Sequence, residues 1–252
     1  MFRRKKKTQK SLRPTMSIVT ADAMRNAANT LLANIEFSSI DEPVKTVAIT
    51  STVPNEGKST IALCLAAAAG QAGKRVLVME GDLRRRSLRA ALDAHPQHGL
   101  HAVLTGACAL REAVVRVPLP GVYFLDAEPG IPNPEALLNS KRYESLIERA
   151  RNVFDMVIID TPPIGAFADA AVIARQVDGV MLVVRENYTD KRDAQLAMSQ
   201  LRASTARVLG VVLNFEERTS GGYGYYYGYY YEEKKVPADS VEAKRARHAQ
   251  MG

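Results

Sequence analysis

The stretch Ser51-Thr52-Val53-Pro54-Asn55-Glu56-Gly57-Lys58-Ser59-Thr60 constrains this chain more than any other. It lies between an apolar, strand-like run, Thr46 to Thr50, and an apolar run of helical character, Ile61 to Ala69. A strand, a tight loop ending Gly-Lys-Ser and a helix together form a phosphate cradle. Loop N–H groups converge with the positive end of the helix dipole, a lysine reaches the outer phosphate oxygens, and the serine hydroxyl ligates magnesium. On this reading Pro54, Asn55, Glu56, Gly57, Lys58, Ser59 and Thr60 line a bound nucleotide, with Lys58 facing the phosphates from an exposed position. The usual pattern begins with a glycine five residues before the second one, and here Thr52 stands there. Pro54 fixes φ and Asn55 tolerates the left-handed region, so the loop closes by another route. The competing reading is a plain strand-to-helix turn with a solvated lysine, and the flanking elements argue against it.

With 252 residues, 46% hydrophobic and 24% charged, the chain has the composition of an ordinary soluble protein with one principal domain. No apolar run approaches the roughly 18 residues of a membrane span, and no apolar segment follows the basic N-terminus as in a signal peptide. The expected location is therefore the cytoplasm. Cys64 and Cys108 have neither metal-ligand nor disulfide spacing and are expected to be small core residues. The formal charge of +7 is matched by Arg3, Arg4, Lys5, Lys6, Lys7, Lys10 and Arg13, leaving the rest of the chain neutral. Residues 1–17 are thus read as a flexible basic arm, suited to an anionic membrane surface at about 1 kcal/mol per basic residue. Nucleic acid is the rival partner, but the neutral body offers no basic stripe to continue such binding.

Helical spacing runs from Ala21 to Phe37, with Thr20 as a candidate cap. Beyond the cradle, short apolar runs at 75–79, 122–125, 153–159, 179–184 and 208–213 predict strands. They alternate with helices at about 136–152, 169–176 and 190–203, and with short helices around Gly99 and Gly106. That alternation predicts an α/β fold, a doubly wound and mostly parallel sheet covered by helices on both faces. Ligands in such folds bind at the carboxyl ends of the strands. Glu80, Asp82 and Asp160 are expected on that edge beside the cradle, where carboxylates hold a metal or accept a proton. From 219 onward the character changes. Tyr223, Tyr225, Tyr226, Tyr227, Tyr229, Tyr230 and Tyr231, interspersed with glycines, form a cluster with no core-packing period, read as an exposed flexible tail over 219–252.

From about Ile18 to the tyrosine tail the chain resembles the bacterial tyrosine kinases of capsule and exopolysaccharide synthesis, in their free-standing cytoplasmic form. The resemblance rests on the proline-bearing loop Thr50 to Thr60 and on Val76 to Arg84, similar to the family's apolar strand ending Asp-x-Asp-x-Arg. It rests also on Phe154 to Pro163, similar to the Walker B strand, and on Gly99 to Gly106, Pro132 to Leu138, Val208 to Asn214 and the tyrosine cluster. It implies a P-loop kinase domain over 18–218 that uses ATP and Mg2+ and phosphorylates its own tail tyrosines in trans. It implies Lys58, Glu80, Asp82 and Asp160 as catalytic groups, with Glu80 nearest the incoming hydroxyl, and Ser59, Asp82 and Asp160 at the metal. Asn214 is a candidate for the adenine edge. The implied partners are a separate transmembrane activator of polysaccharide export, other copies in a ring or lower oligomer, and a protein-tyrosine phosphatase, at the inner face of the cell membrane.

Two departures from the family pattern stand out. Glu80 replaces its first aspartate and moves the carboxylate by roughly 1.5 Å. Asp22, Arg25 and Ala28 stand where the family's ring helix has Glu-x-x-Arg-x-x-Arg, one ionic partner fewer. The alternative readings are a P-loop ATPase switch of the partition or division type, which phosphorylates nothing, and a catalytically weakened nucleotide-binding adaptor.

Overall fold

A computed structural model describes residues 14–38 and 42–216; the basic arm before Pro14 and the tyrosine cluster lie outside the described residues. The centre is a seven-stranded sheet of β1 (Thr46–Ser51), β2 (Val76–Glu80), β3 (Val115–Arg116), β4 (Val122–Leu125), β5 (Met156–Asp160), β6 (Gly179–Arg185) and β7 (Val208–Asn214), in the order β3-β4-β2-β5-β1-β6-β7. Every pairing is parallel except that of β3 with β4. All residues of β1, β2 and β5 are buried, as expected of parallel strands covered on both faces. The doubly wound α/β fold expected from the alternation is therefore the observed one.

Helices are α1 (Pro14–Val19), α2 (Asp22–Phe37), α3 (Lys58–Gln71), α4 (Leu88–Leu92), α5 (Leu100–Thr105), α6 (Leu110–Ala113), α7 (Pro134–Leu138), α8 (Lys141–Val153), α9 (Asp169–Ala174) and α10 (Lys191–Ala203). Residues Ile61 to Gly70 of α3 are all buried, because the sheet lies on one side and α1 and α2 on the other. A helix enclosed in this way is apolar all round, and its alanines let the neighbouring elements approach closely. The α2 stripe that covers it is Ala28, Leu32 and Ile35, and Lys74 pairs with Glu36 at 2.5 Å at its far end. Ala28 thus faces the core, whereas Asp22 and Arg25 pair with each other at 2.7 Å on the exposed face. Among the described residues no helix is long and apolar enough to cross a membrane.

Several local expectations are corrected. Thr20 does not cap α2; its hydroxyl donates back to the Met16 carbonyl at 2.9 Å, closing α1, and Ala21 takes the cap position. The helix expected over 136–152 is two helices, interrupted at Asn139-Ser140, where the Ser140 hydroxyl accepts the Tyr143 N–H and starts α8. The apolar run 153–159 is divided in the same way, because α8 extends to Val153 and β5 begins only at Met156. Between them Phe154 packs its ring against Tyr123 at 5.6 Å, and the Asp155 carboxylate accepts the Arg75 N–H at 2.8 Å. Cys64 is buried, which raises its thiol to about 12, but Cys108 is only half-buried.

One half-buried carboxylate fastens the entry to the sheet. Asp178 accepts the N–H groups of Lys45 and Thr46, each at 2.8 Å, and a guanidinium proton of Arg151. Burial alone raises a carboxyl, but these donors reverse it and hold Asp178 below the ordinary range. Its stabilising contribution is full above about pH 4, the unfolded value, and fades as the pH falls through the lower folded value. Asp178→Ala is expected to cost about 2–3 kcal/mol at neutral pH. That corresponds to a Tm lower by about 4–12 °C. Thermal melts at pH 7 and pH 3 check this, and a difference between wild type and variant that persists undiminished at pH 3 is the contrary result.

Candidate active site

Two residues of the cradle have left-handed backbone, Asn55 at φ 68° and Gly57 at φ 92°. Asn55 therefore supplies the turn that the missing glycine would have made. The loop is also braced from beneath. The Glu56 side chain is fully buried, accepting the Val53 N–H at 2.9 Å and the Thr189 hydroxyl proton, so it braces the loop from inside. The Asn214 amide, at the end of β7, donates to the Glu56 carbonyl at 2.8 Å. Asn214 thus reaches the site as a support of the loop's backbone. Pro54 lies at the exposed outer bend, and Thr60 lies half-buried in the first turn of α3.

Below the loop the acidic residues converge on the lysine. β5 runs between β1 and β2, and register sets Ile49 and Glu80 on either side of Asp160. Lys58 Nζ stands 3.4 Å from Asp160 Oδ1 and 3.6 Å from Asp82 Oδ2. The Ser59 hydroxyl donates to Asp160 Oδ2 at 2.5 Å and lies 3.0 Å from the Ser87 hydroxyl. Lys58 is consequently not the exposed side chain expected from the sequence: only 13% of it is accessible, drawn down onto two carboxylates. Asp160 is fully buried, and burial raises its carboxyl while Lys58 and the Ser59 hydroxyl oppose the rise. Gly81 makes this convergence possible. A Cβ there would lie 2.7 Å from the Asp160 carbonyl, which accepts the Gly81 N–H at 2.7 Å.

Glu80 is positioned differently from the other acids. Its Oε2 accepts the N–H groups of Ser87 and Leu88, at 2.8 and 3.0 Å, so the carboxylate holds the start of α4. Burial, and then the neighbouring Asp160 charge, push it up to about 8. Asp82 makes its own turn, Oδ1 accepting the Arg85 N–H at 2.8 Å. Arg84 leaves that turn to form a paired contact with Asp169, Nε to Oδ2 at 2.8 Å and Nη2 to Oδ1 at 3.2 Å, beneath the Phe167 ring. Asp169 is buried and its bonded guanidinium is driven above its ordinary value, so the pair ties the β5 and β2 ends of the site together. Sequence reasoning did not single out Ser87 or Asp169. The signal for Ser87 was its place directly after Arg84-Arg85-Arg86; for Asp169 there was none beyond a helix start.

Among the described residues no three His, Cys, Asp or Glu side chains are grouped to hold a metal by themselves. A hydroxyl and a carboxylate side by side, Ser59 and Asp160, are nevertheless the oxygen donors that suit Mg2+ arriving with phosphate oxygens and water.

A parallel sheet whose first strand feeds a Gly-Lys-Ser loop, with acids at the carboxyl ends of the next strands, defines a P-loop nucleotide-binding protein of the type that lacks the leading glycine. A family model described as an AAA domain matches residues 44–200. Tyrosine-protein kinase YwqD of Bacillus subtilis (strain 168) is 38% identical over 198 residues, covering 78% of this chain and 84% of YwqD. The kinase domain of Escherichia coli tyrosine kinase ETK superposes with a TM-score of 0.77 at 28% identity, covering 88% of this chain and 89% of that one. The septum site-determining protein MinD of Pyrococcus horikoshii OT3, complexed with Mg-ADP, is less alike. Its TM-score is 0.59 at 24% identity, over 69% of this chain and 72% of that one, a likeness of fold alone. The chain belongs to the bacterial tyrosine kinase family of capsule synthesis.

Proposed function

We propose that this chain transfers the γ-phosphoryl group of ATP to the tyrosines of its own C-terminal cluster on a neighbouring copy, and thereby regulates capsular or exopolysaccharide synthesis and export. The observation that carries this reading is the convergence of Lys58, Ser59, Asp82 and Asp160 within 3.6 Å contacts at the edge where the cradle opens. When phosphates arrive, Lys58 exchanges carboxylate partners for phosphate oxygens, while Ser59 and Asp160, with Asp82 behind them, would hold Mg2+. Bound there, the ion would supply neutralising charge to the phosphate oxygens. The tyrosine oxygen attacks the γ-phosphorus, the bond to the bridging oxygen of ADP breaks, and the phenolic proton passes to Glu80 in its ionised form, which its value of about 8 makes the minor form at pH 7. The ordinary phenol value, about 10, means that the hydroxyl arrives protonated and needs such an acceptor.

The body over 18–218, the basic arm over 1–17 and the tail over 219–252 are the functional parts of this reading. A separate transmembrane activator recruits the chain from the cytoplasm to the inner face of the membrane, where the arm meets anionic lipid. Copies assemble in a ring or lower oligomer, and a tyrosine phosphatase resets the tail. Asp22 and Arg25 are satisfied within α2 and Ala28 is buried, which leaves the ring fewer ionic contacts than the family motif offers.

Changing all seven tail tyrosines to phenylalanine is expected to remove phosphotyrosine from the purified chain while ATP binding stays unchanged. Incubation with labelled ATP and Mg2+, read with anti-phosphotyrosine detection, tests this. ATP turnover without phosphotyrosine in the wild type would favour the ATPase switch, and binding without turnover the weakened adaptor.

A further inference from the structure

Away from the active site, a cavity of about 380 Å3 opens between the end of α5 and the first half of α8. Val103, Leu104 and Gly106 form its apolar side, and Lys141, Arg142 and Arg149 its charged side. Lys141, Ser145 and Arg149 recur every four residues, so they share one face of α8. Arg142 is anchored by donating to the Leu104 carbonyl at 3.1 Å, and Arg149 Nε donates to the Ser145 carbonyl at 3.3 Å. Among the described residues no carboxylate lines the cavity; the nearby acids on α8 are Glu144 and Glu148, and Glu148 accepts an amide proton of Asn152 at 3.3 Å. Three cations around one pocket are a local excess, since beyond the N-terminal arm acids and bases in the chain are equal in number. None of the lining residues belongs to the phosphate cradle or its acids.

An apolar wall facing a cluster of cations fits a ligand that is an aromatic ring at one end and a dianion at the other. Arginine makes charge-assisted, often paired hydrogen bonds to phosphate oxygens, and a cavity of this size takes a substituted phenol. The chain itself carries seven clustered tyrosines, and each phosphorylated tyrosine brings about −1.5 to −2 charges at pH 7. The geometry points to a phosphotyrosine-binding site between α5 and α8, occupied by the phosphorylated tail of a second copy. Its occupant rests on the kinase reading given above. A tail that has left the active site is then held on a neighbouring body, so that phosphorylation changes which surfaces join the copies.

Synthetic peptides of residues 221–233, labelled with a fluorophore and either unphosphorylated, phosphorylated at Tyr227, or carrying phosphoserine at that position, are titrated with the dephosphorylated full chain without nucleotide. The phosphotyrosine peptide is expected to bind at least tenfold more tightly than the unphosphorylated one and at least threefold more tightly than the phosphoserine one. The Arg142→Gln/Arg149→Gln variant is expected to lose at least tenfold of that affinity at an unchanged Tm. Should that variant lose Tm, Arg149→Gln alone, whose exposed side chain bonds within its own helix, must still weaken binding at least threefold. Equal affinity in wild type and variants overturns the site, and equal affinity for the two phosphopeptides overturns its selectivity for tyrosine. The peptides are phosphorylated by synthesis, so these results do not depend on whether the chain is an active kinase, which the labelled-ATP incubation reads separately.

Discussion

Lys58→Met is expected to lower tyrosine phosphorylation by a factor of about a hundred to a thousand or more, the effect of removing one preorganised donor from a charge-developing site. The structure adds a second consequence. Lys58 is the cation beside fully buried Asp160, at 3.4 Å, so its loss leaves that carboxylate without its compensating charge. Asp160 responds by taking up a proton more readily, since burial already raises it, and the Ser59 contact survives in the neutral form. We therefore expect a stability loss of about 1–3 kcal/mol, less than for a buried ion pair broken with no relief. In a chain of this size that is a Tm lower by about 2–12 °C. The two effects separate in a double variant. Lys58→Met with Asp160→Asn removes the unpaired charge and is expected to recover most of the stability, yet none of the phosphotransfer. Phosphotyrosine at wild-type level in either variant, measured well below its Tm, would rule out Lys58 as the phosphate-facing group.

The contrast between Lys58 as expected and as observed indicates where sequence reasoning succeeds. The cradle was legible because its signals are local: an apolar β-branched run, proline and asparagine in the bend, Gly-Lys-Ser, then an apolar helix. Asn55 at positive φ is a direct consequence of residue type. The sheet was legible for a similar reason, since fully buried parallel strands read as short continuous apolar runs. The two-residue strand β3 carries no such run, and its pairing with β4 depends on a chain segment folding back. The break at Asn139-Ser140 falls on two residues that favour caps over helix interiors, but the helical sequence on either side masks it until the Ser140 cap is seen. How deeply a lysine or glutamate sits depends on what neighbouring strands bring beside it. Lys58 is covered because register places Asp160 next to Ile49 and Glu80, residues far apart in the chain. The same holds for Glu56, whose inward turn needs Thr189 from beyond β6.

Glu80 yields the second large effect. Its carboxylate has two tasks that different substitutions separate: it accepts the Ser87 and Leu88 N–H groups, and in the proposed reaction it receives the phenolic proton. Glu80→Gln keeps a carbonyl oxygen for the α4 contacts but cannot accept the proton, so phosphotransfer is expected to fall by about 10²–10⁴ while ATP binding persists. Glu80→Asp keeps the acid but withdraws it by roughly 1.5 Å, beyond hydrogen-bond reach of those N–H groups. That variant is expected to melt at a lower temperature with α4 loosened. The two tasks also differ in pH dependence. Because the folded value, about 8, exceeds the unfolded one, Glu80 favours the folded state most below about pH 4.5, and that advantage is lost as the pH rises to 8. Nucleotide-free wild type should accordingly lose Tm between pH 5 and 8 relative to Glu80→Gln, which has no such proton to release. Parallel melting curves for the two proteins across that range would mean that Glu80 is ionised in the folded chain, and full phosphotransfer by Glu80→Gln would mean that another group takes the tyrosine's proton.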